Sequence, residues 1–208
     1  MRNSLIWMLC ILSCKQGTSQ SGGGLEHYLY LSKESLAVLV PVAHYRFSGN
    51  WYGEARYNYE DANTFSLYGG KTFAKEGKWG YSATPMVGAI TGLMNGGSLG
   101  LNLDLNRQKL FLSSQSQYSF SIENHAQKYF MTWSELGYEA FPWCYSGVAL
   151  QQRKPYRKDP QLETGYMIGF SFGKWVFPLY VFSPSKKEKY FIAGINYEWE
   201  KSSGKKKK

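Results

Sequence analysis

A chain of 208 residues with 17% aromatics, 17 Tyr, 7 Trp and 22 Gly has the composition of one all-β domain, rich in strand and turn formers. The formal net charge of +9 is concentrated in the terminal run GKKKK, at Lys186, Lys187 and Lys189, and at Arg153, Lys154, Arg157 and Lys158. No basic stripe interleaved with exposed aromatics results, so nucleic acid is set aside as a partner. A mean hydropathy of -0.40 does not exclude a membrane barrel, whose strands average one apolar and one polar face.

The N-terminal segment MRNSLIWMLCILSCKQGTSQSGGG has one basic residue, Arg2, a short apolar run from Leu5 to Leu12, and then small and polar residues. This is the layout of a secretory signal peptide over 1–22, with cleavage between Thr18 and Gly22. Ile11-Leu12-Ser13-Cys14 also loosely matches a lipidation signal on Cys14, though Leu12 fits poorly at its position. Cys10 and Cys14 both fall in this segment, which leaves Cys144 alone and predicts no intramolecular disulfide. No later run reaches the ~18 consecutive apolar residues of a spanning helix.

From 25 to 200 the sequence reads as strands and turns. Twelve strands are predicted, with ten as the lower count: 26–32, 36–47, 50–60, 63–74, 79–92, 97–106, 108–121, 127–140, 143–153, 162–173, 175–184 and 189–200. The stretch NWYGEARYNYED sets Trp51, Gly53, Ala55, Tyr57 and Tyr59 against Tyr52, Glu54, Arg56, Asn58 and Glu60. SLGLNLDLN sets Leu99, Leu101, Leu103 and Leu105 against Ser98, Gly100, Asn102 and Asp104. GYMIGFSFG and YFIAGINYEWE alternate in the same way, while 127–140 and 143–153 alternate poorly. The connections fall into two sets. One is short (48–49, 75–78, near 107, 141–142 and 174). The other is longer on average (33–35, 61–62, 93–96, 122–126, 154–161 and 185–188). The residues 201–208 are read as a Lys-rich disordered tail.

Two features put the apolar face against lipid. Aromatics cluster near strand ends: Tyr45, Phe47, Trp51, Tyr57, Tyr59, Trp79, Trp175, Tyr197 and Trp199 form a predicted girdle. The opposite face is Ser, Gly, Asn, Gln and Thr with a few charges of both signs, not the Lys/Glu coat of a soluble sheet. A secreted β-sandwich is the alternative, but twelve strands with such short links favour closure without edges.

In the runs NWYGEARYNYED, GFSFGKW and INYEWE the chain resembles outer-membrane β-barrels of Gram-negative bacteria, of a Bacteroidetes type. The resemblance implies a closed antiparallel up-and-down transmembrane barrel, contact with outer-membrane lipid and lipopolysaccharide, and insertion by the barrel-assembly machinery. It departs from the pattern at the end, where EKSSGKKKK follows Trp199.

Under this reading His44, Arg46, Glu54, Arg56, Asn58, Asn102, Asp104, Asn196 and Glu198 face the lumen, with Gln115, Gln117, Trp133 and Glu135. Mixed lumen charges suit a narrow passive channel for small solutes or ions. They also suit a barrel blocked by ion pairs that serves an envelope complex. A membrane hydrolase built on His44 or His125 lacks a GxSxG elbow, so no catalytic set is assigned. His27, His44 and His125 are too scattered for a metal site, and no cofactor is implied.

Overall fold

The computed structural model describes residues 21–32, 37–123, 128–155 and 161–200. Residues 1–20, the greater part of the predicted signal peptide with Cys14, lie outside the described residues, as do His125, Arg157, Lys158 and 201–208.

Thirteen strand segments run in chain order: β1 (Gly22–Ser32), β2 (Val38–Arg46), β3 (Trp51–Tyr57), β4 (Thr64–Lys71), β5 (Phe73–Lys75), β6 (Gly80–Gly92), β7 (Gly96–Arg107), β8 (Leu110–Ser121), β9 (Lys128–Phe141), β10 (Cys144–Pro155), β11 (Gln161–Phe172), β12 (Trp175–Phe182) and β13 (Tyr190–Glu200). Each pairs antiparallel with its neighbours. β1 pairs with β13 from Gly22↔Glu200 to Ser32↔Tyr190, and β4 pairs with β6, so the sheet closes on itself. β4 and β5 both lie along β6, which makes them one interrupted strand and the barrel twelve-stranded. The predicted strand 63–74 missed that interruption. It falls at Thr72, whose N–H donates to the Asn50 carbonyl at 2.8 Å while its hydroxyl turns inward to Thr84 at 2.9 Å. The first strand starts at Gly22, earlier than the predicted 26.

Both ends of the described chain lie at one end of the barrel, called here the terminal end. Its turns are 47–50, 76–79, 108–109, 142–143 and 173–174. Two of the tight ones place a residue in the left-handed region: Gln108 (φ 55) and Gly173 (φ 63). The distal end carries the longer connections 33–37, 58–63, 122–127, 156–160 and 183–189, and the shorter 93–95.

Alternation then sorts the side chains. Leu67, Val87, Leu99, Tyr166 and Ile195 are exposed on the outside; Tyr68, Met86, Ser98, Met167 and Ile192 are buried inside. This inversion of the soluble pattern is the lipid-facing arrangement. Hydroxyls on the outer face of β8 and β9 bond to each other across the strands, Ser114 to Ser134 at 2.9 Å and Ser116 to Thr132 at 2.8 Å. That pairing offsets the cost of placing them against hydrocarbon.

Candidate functional site

The lumen divides into two parts. The distal part is a packed layer built around the turn 58–63. Asn58 (φ 57) and Asn63 (φ 49) both adopt the left-handed conformation that Asn tolerates. The Asn63 N–H donates to Asn58 Oδ1 at 2.7 Å, and the Asn58 N–H donates to the Thr64 carbonyl at 2.9 Å. This clamp throws the residues between them into the barrel, where Glu60 is 1% exposed.

Glu60 is held from several walls. Its carboxylate accepts from Ser66 at 2.7 Å and from Tyr68 at 2.9 Å on β4. Its backbone carbonyl accepts from Tyr129 of β9 at 2.9 Å and from Arg153 of β10 at 3.0 Å. β10 stands opposite β3 in the ring, so the turn bridges the lumen. Arg56, also 1% exposed, lies beside it. Its guanidinium donates to Glu54, to Glu60 at 3.5 Å and to Gln117 of β8 at 2.5 Å, and it stacks between Tyr59 and Tyr68 at 4.3 and 4.5 Å. Tyr52 donates to Glu54 from the same strand. Met94, from the turn 93–95, packs with Ile90, Tyr129 and Met131 and completes the layer.

On the terminal side of this layer lies a cavity of about 230 Å³. His44, Arg46, Asn102, Asp104, Glu135, Asn196 and Glu198 line it, together with Gln115 and Trp133. His44 Nδ1 lies 3.2 Å from Glu26, and its ring stacks on Tyr52 at 6.2 Å. Asp104 accepts from Ser82 at 2.8 Å and Ser113 at 3.0 Å. Glu135 accepts from Trp133 at 2.7 Å and Tyr180 at 2.8 Å. The wall between β9 and β13 is aromatic: Trp133 meets Tyr180 edge to face, and Tyr180, Phe182 and Tyr190 stack in sequence, with Phe182 wholly buried.

The structure therefore divides the predicted lumen residues between a packed layer (Glu54, Arg56 and Gln117) and a cavity (the others), with one exception. Asn58 does not face the lumen. It donates to the Leu39 carbonyl at 3.0 Å and serves the turn. Tyr59 is not part of the girdle. Its hydroxyl reaches across the lumen to Gln115 at 2.9 Å. Both corrections have one cause: β3 ends at Tyr57, and the period of two stops with it.

The other girdle residues, Tyr45, Phe47, Trp51, Tyr57, Trp79, Trp175, Tyr197 and Trp199, lie on the outside, all but Tyr57 at the terminal end. Lys71, Arg107 and Lys174 lie over Trp51, Trp79 and Tyr197 at 5.4, 4.8 and 5.9 Å. At the distal end Phe65, Tyr118 and Phe120 are exposed outward as well. Sequence reasoning also missed Glu26 and Tyr28 in the cavity. The signal was present, since they alternate with Leu25, Leu29 and Leu31.

No protein-family model matches the chain, and no curated protein matches it. Solved structures do. A structure titled "KdgM porin" aligns with TM-score 0.63 and 12% identity, covering 84% of this chain and 98% of that one. The fold is that of outer-membrane porins. A second structure, KdgM porin in complex with disordered oligogalacturonate, gives TM-score 0.60 at 13% identity over 85% and 98% of the two chains. The NanC porin gives 0.56 at 8% identity over 85% and 99%. The nearly complete coverage of those chains means that the barrel described here has their size as well as their topology.

Proposed function

We propose that this protein is a narrow passive channel of the bacterial outer membrane for small solutes or ions. The observation that carries the reading is the lumen itself, a polar, charged cavity inside a barrel whose exterior is apolar. The similarity to solved porins supports it. The terminal end, with its short turns, faces the periplasm, and the longer distal connections face outward. Outer-membrane lipid and lipopolysaccharide surround the barrel, and assembly machinery inserts it. The affinity to a Bacteroidetes-type group rests on the aromatic runs of the sequence. The turn 58–63 is the constriction, because it carries Tyr59 and Glu60 across the lumen to β8, β9 and β10.

The test is single-channel recording of the refolded protein in planar bilayers. Stable unitary steps are expected, larger in Tyr59→Ala, which removes the ring bonded to Gln115. A folded barrel that stays silent in both forms would sink the channel reading and favour a blocked barrel in an envelope complex.

A further inference from the structure

We infer that the lumen passes small cations in preference to anions, an inference that rests on the channel reading. Five carboxylates line the cavity, from Glu26, Asp104, Glu135, Glu139 and Glu198, against one guanidinium, Arg46, and one imidazole, His44. The cavity stays acidic even with His44 counted as a cation.

The partners of these carboxylates matter as much as their number. In the distal layer two guanidiniums, Arg56 between Glu54 and Glu60 and Arg153 on the Glu60 carbonyl, offset the charge of the two carboxylates. In the cavity, Asp104 is held by two serine hydroxyls and Glu135 by an indole and a phenol. Neutral donors fix a carboxylate in place without cancelling its field. Two further features point to a cationic occupant. Asn102 and Asn196 line the same cavity with side-chain oxygens that are buried and have no hydrogen-bond partner among the described residues, two acceptors against one such donor there, the Arg46 Nε. Tyr28, Tyr52, Trp133 and Tyr180 add aromatic rings, whose faces attract cations.

The exposed Lys186, Lys187 and Lys189 at the distal mouth act the other way, but weakly. They sit in solvent, where salt screens a charge beyond about 10 Å at 0.1 M. Charges enclosed by low-dielectric walls are screened far less and focus their field on the path.

The experiment is the reversal potential of the refolded barrel in a planar bilayer under a KCl gradient. A cation-selective sign is expected, with a permeability ratio on the order of ten. Glu139→Gln combined with Glu198→Gln should move the ratio toward unity, and Arg46→Gln should move it further toward cations. Damage to the fold would not shift the two variants in opposite directions. A conducting wild type that is unselective or anion-selective overturns this inference and leaves the channel standing. A folded barrel that is silent both as wild type and as Tyr59→Ala overturns both.

Discussion

Arg56→Met tests whether the distal layer is held by charge balance. The substitution keeps an unbranched, apolar side chain of similar reach and removes the guanidinium that faces Glu54, Glu60 and Gln117. At an effective dielectric constant of about 20, opposite unit charges about 4 Å apart attract by about 4 kcal/mol. Arg56 has two such partners, both almost wholly buried, so its loss strands two carboxylates away from water. The removed desolvation cost of the guanidinium offsets part of this, and breaking a buried pair from one side costs about 3–5 kcal/mol in measured cases. That is the expected loss, read by urea unfolding in lipid vesicles with tryptophan fluorescence. The companion variant Glu54→Gln removes one stranded charge. In the Arg56→Met background it should cost at least about 1 kcal/mol less than in the wild type, or even stabilise, because the two sites share one network. A loss below about 1 kcal/mol for Arg56→Met, or strictly additive effects of the pair, would refute charge balance as what holds the layer.

Two other perturbations probe the barrel wall. A Cβ on Gly147 would lie 2.1 Å from the Leu136 carbonyl and 2.7 Å from the Gly137 Cα, both backbone atoms that cannot swing away, whereas Gly69 has open space around it. Gly147→Ala should therefore lose about 1–3 kcal/mol by overpacking while Gly69→Ala shifts stability by less than about 1 kcal/mol, and equal effects in the same unfolding assay would count against the strand pairing at that point. On β6, Val87 is 63% exposed near the middle of the strand and Tyr81 lies near its terminal end. Val87→Arg should cost about 2–4 kcal/mol in a bilayer and Tyr81→Arg about 0–1 kcal/mol, and a reversed order would place the hydrocarbon band elsewhere along the strand.

The fold was legible because a two-sided strand writes its faces into the sequence. SLGLNLDLN keeps four leucines out and Asn102 and Asp104 in without a break. Legibility ended where backbone geometry took over from alternation. Asn58 and Tyr59 continue the pattern of Glu54, Arg56 and Tyr57 in letters only, since a left-handed Asn at the end of β3 redirects the chain. Glu60 thus appeared as another polar strand residue, although it is the centre of the bridge across the lumen. Thr72 hides the interruption between β4 and β5 for a similar reason: its inward hydrogen bond to Thr84 depends on a residue brought near by the hairpin. Which charges balance one another was also illegible, because the Arg56–Gln117 contact joins β3 to β8, and no local pattern specifies it.

The division of charge along the lumen follows the division of space. A carboxylate excluded from water needs a cation or a dense set of donors, and Glu54 and Glu60 in the packed layer have both. A cavity of about 230 Å³ lined with hydroxyls, amides and acids has room for several waters, so its carboxylates keep water beside their neutral partners. On the proposed channel reading the arrangement ties the charges that hold the fold to one end and the charges that select ions to the other. Neutralising an acid in the packed layer should act mainly on unfolding, while neutralising one in the cavity should act mainly on selectivity. Glu54 and Glu198 lie in these different surroundings inside one barrel, so the contrast between Glu54→Gln and Glu198→Gln separates a charge that holds the fold from a charge that acts on a passing ion.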